Sequence, residues 1–214
     1  MLINFAMIAQ KRNAPKKTTI MAKARKIFSE QGYAKTTMKD IGRVCHCEAS
    51  NIYNYFPSKE ALLNEILRDE MDQLLVPLRY LPSDLDTNPA EQMAIMIKHH
   101  LNVVLGARRF NKTVFEGEFK FLRAQDKKKI IALRDEFQKI METIIGRGID
   151  QGVFAPVDIK MACFLITSMT IRTRTWYRPR GRLSSEQIAN EVIKMAMHGI
   201  ESASEHLRHS VKRN

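Results

Sequence analysis

The stretch VCHCEASNIYNYFPSK, Val44–Lys59, carries two unlike signals. Cys45-His46-Cys47 sets three soft-metal ligands in a row. Asn51 to Lys59 gathers Asn, Tyr and Lys, the residue types that meet bases and phosphates, on a segment broken by Pro57-Ser58. Upstream, Thr37 with Asp40 three residues later has capping-box spacing, with Asp in place of Glu, and predicts a short helix ending near Val44. Further back, Ile20, Ala24, Ile27 and Phe28 fall at i, i+4, i+7 and i+8. That stripe predicts a longer helix from about Thr18, closed by Gly32. A third helix is expected from about Glu48 to Tyr55, after a turn of four to five residues. Two short helices joined by a tight turn behind a longer one make a helix-turn-helix.

The second helix of such a pair enters the major groove with its N-terminal residues at the base edges. That places Glu48, Ala49, Ser50 and Asn51 near bases. Asn bonds adenine bidentately, Glu accepts from cytosine, Ser donates or accepts, and Ala touches a thymine methyl. Tyr53, Asn54, Tyr55 and Lys59 suit phosphates by hydroxyl, amide or charge. Thr37 at a helix N-terminus offers a hydroxyl and a backbone N–H to another phosphate. Phe56 reads as core and Tyr55 as exposed; for Tyr53 the pattern leaves core and phosphate contact both open.

For Cys45-His46-Cys47 structural thiols are the favoured reading, with a thiol redox response and a metal site as the alternatives, and geometry weighs against the metal. Consecutive helical residues differ by about 100°, so three in a row do not converge on one ion unless the backbone turns sharply. Zinc sites space their Cys by about two to four residues and supply a second pair. His99-His100, His206 and His209 lie far away in sequence. No metal, cofactor or catalytic group is expected.

The 214 residues are 44% apolar, an ordinary globular composition, and carry a net charge of +12. The charge is uneven: residues 1–59 hold 11 Lys/Arg against 3 Asp/Glu, and the remainder 24 against 20. A basic N-terminal quarter on a nearly balanced body points to a polyanion, nucleic acid before an anionic membrane surface. Three Cys make no disulfide framework and suit a reducing compartment. The apolar start MLINFAMIA lacks a basic region before it and does not read as a signal peptide. No apolar run approaches the roughly 20 residues that span a bilayer. A cytoplasmic protein is expected.

Beyond Ser58, which caps a fourth helix, Leu62, Leu63, Ile66, Leu67 and Leu74 face inward. The segment 78–89, LRYLPSDLDTNP, reads as a connection. Helices follow near 89–106, 111–123 and 127–147, the last with Ile130, Leu133, Phe137, Ile140, Met141 and Ile144 as its stripe. Pro156 is expected to open a helix to Trp176. Ser184, with Glu186 and Gln187 in the first turn, opens the final helix, to about residue 208, whose apolar face is Ile188, Val192, Met195, Ala196 and Ile200. No alternating strand pattern occurs. The fold expected is all-α, about nine helices: a flexible basic arm over 1–16, a DNA-binding domain over 17–62, and a helical domain over 63–214.

Residues 19–63, TIMAKARKIFSEQGYAKTTMKDIGRVCHCEASNIYNYFPSKEALL, resemble the DNA-binding domain of TetR-family transcriptional regulators. The matching elements are Ile27-Phe28, Gly32-Tyr33, Thr37-Met38 with Asp40-Ile41, and Ile52-Tyr53-x-Tyr55-Phe56-x-Ser58-Lys59-Glu60 followed by Leu62-Leu63. The resemblance implies three DNA-binding helices, a linking fourth, and a helical domain for ligand and dimerisation. It also implies that Cys45 and Cys47 hold positions of small buried apolar residues, as free Cys does readily. The chain departs from the family at the turn. His46 stands where Gly is usual, Gly42 where Ala is, and Glu48 where a capping Ser is.

The C-terminal part holds Met93, Met96, Phe110, Phe115, Phe119, Phe121, Phe137, Met141, Phe164, Met169 and Trp176, interrupted by Glu116, Glu118, Arg123, Thr167, Arg172 and Arg174. Most of the apolar residues read as core. An adaptable apolar pocket is still within their means, with Phe115, Phe119, Phe137, Met141, Phe164, Met169, Arg172 and Trp176 as its candidates. RDEFQKIMETIIGRGIDQGVF (134–154) and TWYRPRGRLSSEQIANEV (175–192) look like a TetR subgroup of fatty-acid, steroid or aromatic-degradation regulators that respond to acyl-CoA thioesters. The resemblance implies a repressor that dimerises through its last two helices, binds a palindromic operator, and leaves it on binding an acyl-CoA or other lipophilic effector. A multidrug-type sensor and a constitutive DNA-binding protein without effector are the rival readings. No nucleophile-elbow, P-loop, dinucleotide or metalloprotease motif supports an enzyme, and a membrane-surface protein would need anionic lipid rather than DNA.

Overall fold

The computed structural model describes residues 17–106 and 117–200. The predicted arm over 1–16, Phe110, Phe115, Glu116, His206, His209, the side chain of Ile200 and the end of the last predicted helix lie outside the described residues. Eight α-helices and no strand occur among the described residues. They are α1 (Lys17–Gln31), α2 (Met38–Cys45), α3 (Ala49–Tyr53), α4 (Lys59–Leu75), α5 (Pro89–Leu105), α6 (Ala124–Asp150), α7 (Ile159–Trp176) and α8 (Ser185–Ile200). The chain divides into two compact units. One is Met1–Glu70 with Phe110–Ile130; the other is Met71–Arg109 with Ile131–Asn214.

In the first unit, α1 buries Ile20, Met21, Ala24, Ile27 and Phe28. Gly32 ends the helix at φ +84, a left-handed conformation that suits a residue without Cβ. The predicted capping box at α2 is present: Asp40 N–H donates to Thr37 Oγ1 at 3.2 Å, and Thr37 N–H donates to Asp40 Oδ2 at 3.0 Å. Ser58 Oγ accepts from Ala61 N–H at 3.0 Å and starts α4, where Leu62, Leu63, Ile66 and Leu67 are fully buried. Arg25 ties α1 to α4. It is almost fully buried, pairs with Asp69 and with Glu70 at 3.5 Å, and donates to the Ile66 carbonyl at 3.3 Å. Two carboxylates and a helix carbonyl offset the burial of this cation, although its Nε makes no hydrogen bond.

In the second unit, α5 packs against α7 and α8, which also touch each other. The connection read as a loop over 78–89 is more ordered than its turn residues suggest. It contains 3-10 turns at Val76–Leu78 and Leu81–Ser83 and buries Leu78 and Leu81. Buried Gln92 holds it, donating to Leu81 O at 3.0 Å and Asp84 O at 2.5 Å, while Arg147 donates to Asp84 O at 3.2 Å and to the Gln92 side chain.

Three expectations need correcting. Pro156 does not open α7; Asp158 does, its carboxylate accepting from the orphan Met161 N–H at 2.9 Å, an acceptor that the Pro side chain does not have. Met195 is 67% exposed and leaves the apolar face of α8, which Ile188, Val192 and Ala196 form. At the described end of the predicted 111–123 helix, Phe119–Phe121 is a 3-10 turn.

Candidate nucleic-acid interface

The turn between α2 and α3 is built on His46. Among the described residues it alone is a non-Gly residue with positive φ, at φ 56 and ψ 42. Its N–H donates to Arg43 O at 3.2 Å, and Cys47 N–H donates to Gly42 O at 3.0 Å. These two bonds form a Schellman cap, which needs a left-handed residue at this position. Gly42 answers His46 across the turn. A Cβ on it would lie 2.7 Å from the Cys47 carbonyl oxygen and 3.3 Å from the Ala49 nitrogen, both backbone atoms. Missing bulk on α2 lets the start of α3 come close. Lys23 adds a brace from α1, its Nζ donating to Val44 O at 2.5 Å.

Glu48 is the N-cap residue of α3 and makes no side-chain capping bond. Its carboxylate stays exposed, as does Ser50, while Ala49 and Asn51 are half-buried. Ile52 and Phe56 are buried at 0% and 1% exposure, whereas Tyr53 and Tyr55 stand 51% and 41% exposed, with Asn54 exposed between them. One edge of the short helix thus fixes it to the core. The residues predicted to read bases and touch phosphates remain on its open side.

Thr37 and Lys59 are engaged elsewhere. The Thr37 hydroxyl donates to Asp40 Oδ2 at 2.6 Å, so both its donors serve one carboxylate. Those two bonds hold the Asp40 carboxyl below the usual carboxylate range. A phosphate reaching Thr37 has to displace Asp40. Lys59 Nζ donates to Tyr33 O at 2.8 Å and Thr36 O at 2.7 Å and lies 4.3 Å from the Tyr33 ring centroid. Partial burial lowers its pKa, with nearby Glu118 opposing. Two of its three protons therefore fix the loop that launches α2.

Sequence reasoning missed the segment that supports that loop. Glu118 is buried, and its Oε1 accepts from Tyr33 N–H at 3.3 Å. Arg123 donates to both Glu60 oxygens, from its backbone N–H at 2.8 Å and from Nε at 3.1 Å. The Tyr33 ring packs against Phe28 at 5.2 Å and Phe121 at 4.9 Å. Burial, then the charges of Glu60 and Glu118, pushes the Tyr33 phenol up to about 12. Glu118 and Arg123 carry no local pattern that ties them to residues more than sixty positions earlier.

The effector candidates are dispersed. Phe119 is half-buried in the first unit. In the second, Phe137 and Met141 are buried and Met169 is half-buried; Phe164 and Trp176 are 54% and 55% exposed, and Arg172 is exposed. Phe137 packs edge-on to buried His100 at 5.0 Å, whose Nδ1 meets Thr170 Oγ1 at 2.8 Å. Among the described residues no cluster of three or more His, Cys, Asp or Glu is arranged to hold a metal ion, and no helix is long and apolar enough to cross a membrane.

Comparison with known proteins places this architecture. Residues 20–66 match the family model of bacterial regulatory proteins, tetR family, and residues 86–200 match the tetracyclin repressor-like C-terminal domain. The HTH-type transcriptional repressor KstR2 of Mycobacterium tuberculosis is 25% identical over 183 residues, covering 81% of this chain and 87% of the relative. The crystal structure of PfmR from Thermus thermophilus, a TetR family transcriptional regulator, superposes with a TM-score of 0.77 at 26% identity, over 84% of this chain and 97% of that one. AibR in complex with isovaleryl coenzyme A and operator DNA superposes at 0.73 with 25% identity, over 84% and 96%. With a helix-turn-helix at its N-terminus and the family's C-terminal domain over more than half its length, the chain belongs to the TetR family, whose members are DNA-binding transcriptional regulators and not enzymes.

Proposed function

We propose that the protein is a cytoplasmic, homodimeric repressor that leaves a palindromic operator when an acyl-CoA-like or other small apolar effector binds. The observation that carries the DNA half is α3 itself: Ile52 and Phe56 anchor it, and Ser50, Tyr53, Asn54 and Tyr55 stay accessible. Glu48, Ala49, Ser50 and Asn51 would face bases. Tyr53, Asn54 and Tyr55 would hold phosphates, with Thr37 once Asp40 yields and with the third proton of Lys59. The domain scheme is an arm over 1–16, a reading domain over 17–62 and an effector and dimer domain over 63–214.

The dimer reading rests on apolar surface left open in one protomer. Met161 and Leu165 on α7 and Met195 on α8 are each more than half exposed. Such side chains favour burial against a partner, and a two-fold pair of reading helices would sit about one DNA turn apart, roughly 34–36 Å. The effector reading draws on AibR, whose structure holds isovaleryl coenzyme A. Here Phe137, Met141 and Met169 of the second unit offer apolar side chains, the first two buried and the third half-buried. Arg172 and Trp176, one turn apart on α7, offer a cation and a ring to a phosphate-bearing ligand.

Genome-wide binding-site selection followed by effector titration tests the proposal. The expected result is a palindromic motif and release of the purified protein from it by acyl-CoA thioesters. Release only by uncharged lipophiles would favour the multidrug reading; release by neither would favour a constitutive binder. A non-palindromic motif, or a monomer in sedimentation at micromolar concentration, would overturn the dimer.

A further inference from the structure

The segment from Glu118 to Arg123 lies in the same compact unit as the helix-turn-helix. Part of it is spent on structure. Glu118 accepts the Tyr33 N–H, and Arg123 gives its backbone N–H and its Nε to Glu60. What it leaves open is cationic. Lys120 is exposed and makes no hydrogen bond or ion pair among the described residues. The Arg123 side chain is 73% exposed, and its Nη1 and Nη2 carry no hydrogen bond among the described residues.

These cations adjoin Lys59. Lys59 Nζ lies 4.3 Å from the Tyr33 ring centroid, the Tyr33 and Phe121 rings stand 4.9 Å apart, and Lys120 Nζ lies 5.2 Å from the Phe121 ring centroid. Two ammoniums thus flank one pair of rings. They stand within a few phosphate spacings of each other along a strand, whose charges recur about every 3.4 Å of axis. Arg123 is bonded to Glu60, the residue that follows Lys59. We propose that Lys120 and Arg123 form a second phosphate-binding edge, which extends the operator contact from Lys59 onto the flanking duplex. The inference rests on the reading of Lys59 as a phosphate contact.

The donor set fits this partner. Lys120 offers a compact ammonium, and the unspent end of Arg123 offers the guanidinium nitrogens that pair with phosphate oxygens. The two nearby carboxylates do not cancel them. Glu118 is buried, and Glu60, its side chain 22% exposed, is already taken up by Arg123 N–H and Nε. Three cations against two engaged carboxylates leave the edge positive. Contacts to phosphates carry no base information. The edge therefore adds affinity and salt dependence and leaves the recognised motif unchanged.

The test titrates the full chain, at several salt concentrations, with two duplexes that share the selected operator. One ends at the motif; the other carries about one further helical turn, roughly 10 base pairs, on each side. The wild type is expected to bind the longer duplex about fivefold tighter or more. Lys120→Gln and Arg123→Gln should each lower the slope of log affinity against log salt by about 0.9 on the longer duplex. The double variant should bind both duplexes equally and select the same motif. Lys120→Gln breaks no hydrogen bond among the described residues, so it decides the matter even where Arg123→Gln disturbs the tie to Glu60. Equal binding of the two duplexes by the wild type would refute the edge. So would a Lys120→Gln variant that keeps the wild-type slope, or one that loses affinity equally on both duplexes. In each case a Lys59→Met variant with a reduced slope shows that the Lys59 reading still stands; an unchanged slope there sinks that reading and the edge with it.

Discussion

The buried carboxylate of Glu118 accepts the backbone N–H of Tyr33 at 3.3 Å, joining residues 85 positions apart. Tyr33 begins the loop from α1 to α2, so this bond supports the base of the helix-turn-helix. Glu118→Ala leaves a buried N–H without its acceptor, a loss of about 1–3 kcal/mol. Glu118→Gln keeps an acceptor and should retain most of that stability. Urea unfolding of the two variants measures the difference; equal losses would show that the carboxylate charge, not the hydrogen bond, matters.

Lys59 is braced from the same loop, through the Tyr33 and Thr36 carbonyls at 2.8 and 2.7 Å. Lys59→Met should destabilise the protein by about 1–3 kcal/mol, because two part-buried carbonyls lose a charged donor. Its effect on DNA separates bracing from phosphate contact. If the third proton meets a phosphate, the slope of log affinity against log salt should fall by about 0.9. If Lys59 only braces the loop, affinity falls and the slope stays the same.

His46 carries a left-handed conformation that L side chains adopt at about 1–2 kcal/mol. His46→Gly removes that strain but frees the unfolded chain, so a net gain of about 0.5–1 kcal/mol is expected. Gly42→Ala should act in the opposite sense despite the better helix propensity of Ala. Its Cβ would lie 2.7 Å from Cys47 O, and overpacking against backbone costs about 1–3 kcal/mol. Thermal melts of both variants, paired with operator titrations, test whether the turn trades stability for a fixed approach of α3.

His100 supplies a pH dependence. It is buried against Phe137 and bonded to Thr170, whose hydroxyl donates to Thr167 O at 2.8 Å, leaving its lone pair for the Nδ1 proton. Burial, then the charges of His99 and Arg174, lowers its pKa to about 4. The unfolded His takes up a proton near pH ~6.5, where the folded one does not. Stability is therefore full above about pH 6.5 and falls as pH drops towards about 4, by about 1.4 kcal/mol per unit and on the order of 3 kcal/mol in all. His100→Gln, which does not titrate, should flatten this part of the melting profile; an unchanged slope would assign the acid sensitivity to other groups.

The local code of the first unit is legible because its signals span few residues. Thr37 and Asp40 predict a capping box, Gly32 a left-handed end, and Ile20, Ala24, Ile27 and Phe28 a buried stripe, and each is present. Phe56 is core and Tyr55 exposed, as expected; Tyr53, left open by periodicity, is exposed because the five-residue helix has only one buried side, filled by Ile52. Met195 misleads because a heptad-like stripe does not say which surface it faces.

By itself the sequence determined an all-α regulator with a helix-turn-helix, through caps, stripes and turn residues whose physics acts within a few positions. Only the tertiary structure decided where Lys59, Thr37 and Glu118 spend their hydrogen bonds, and that Gly42 answers His46 across the turn. Those outcomes depend on buried donors finding acceptors and backbones meeting at van der Waals distance. Both are set by packing between segments distant in the chain, which no local pattern encodes.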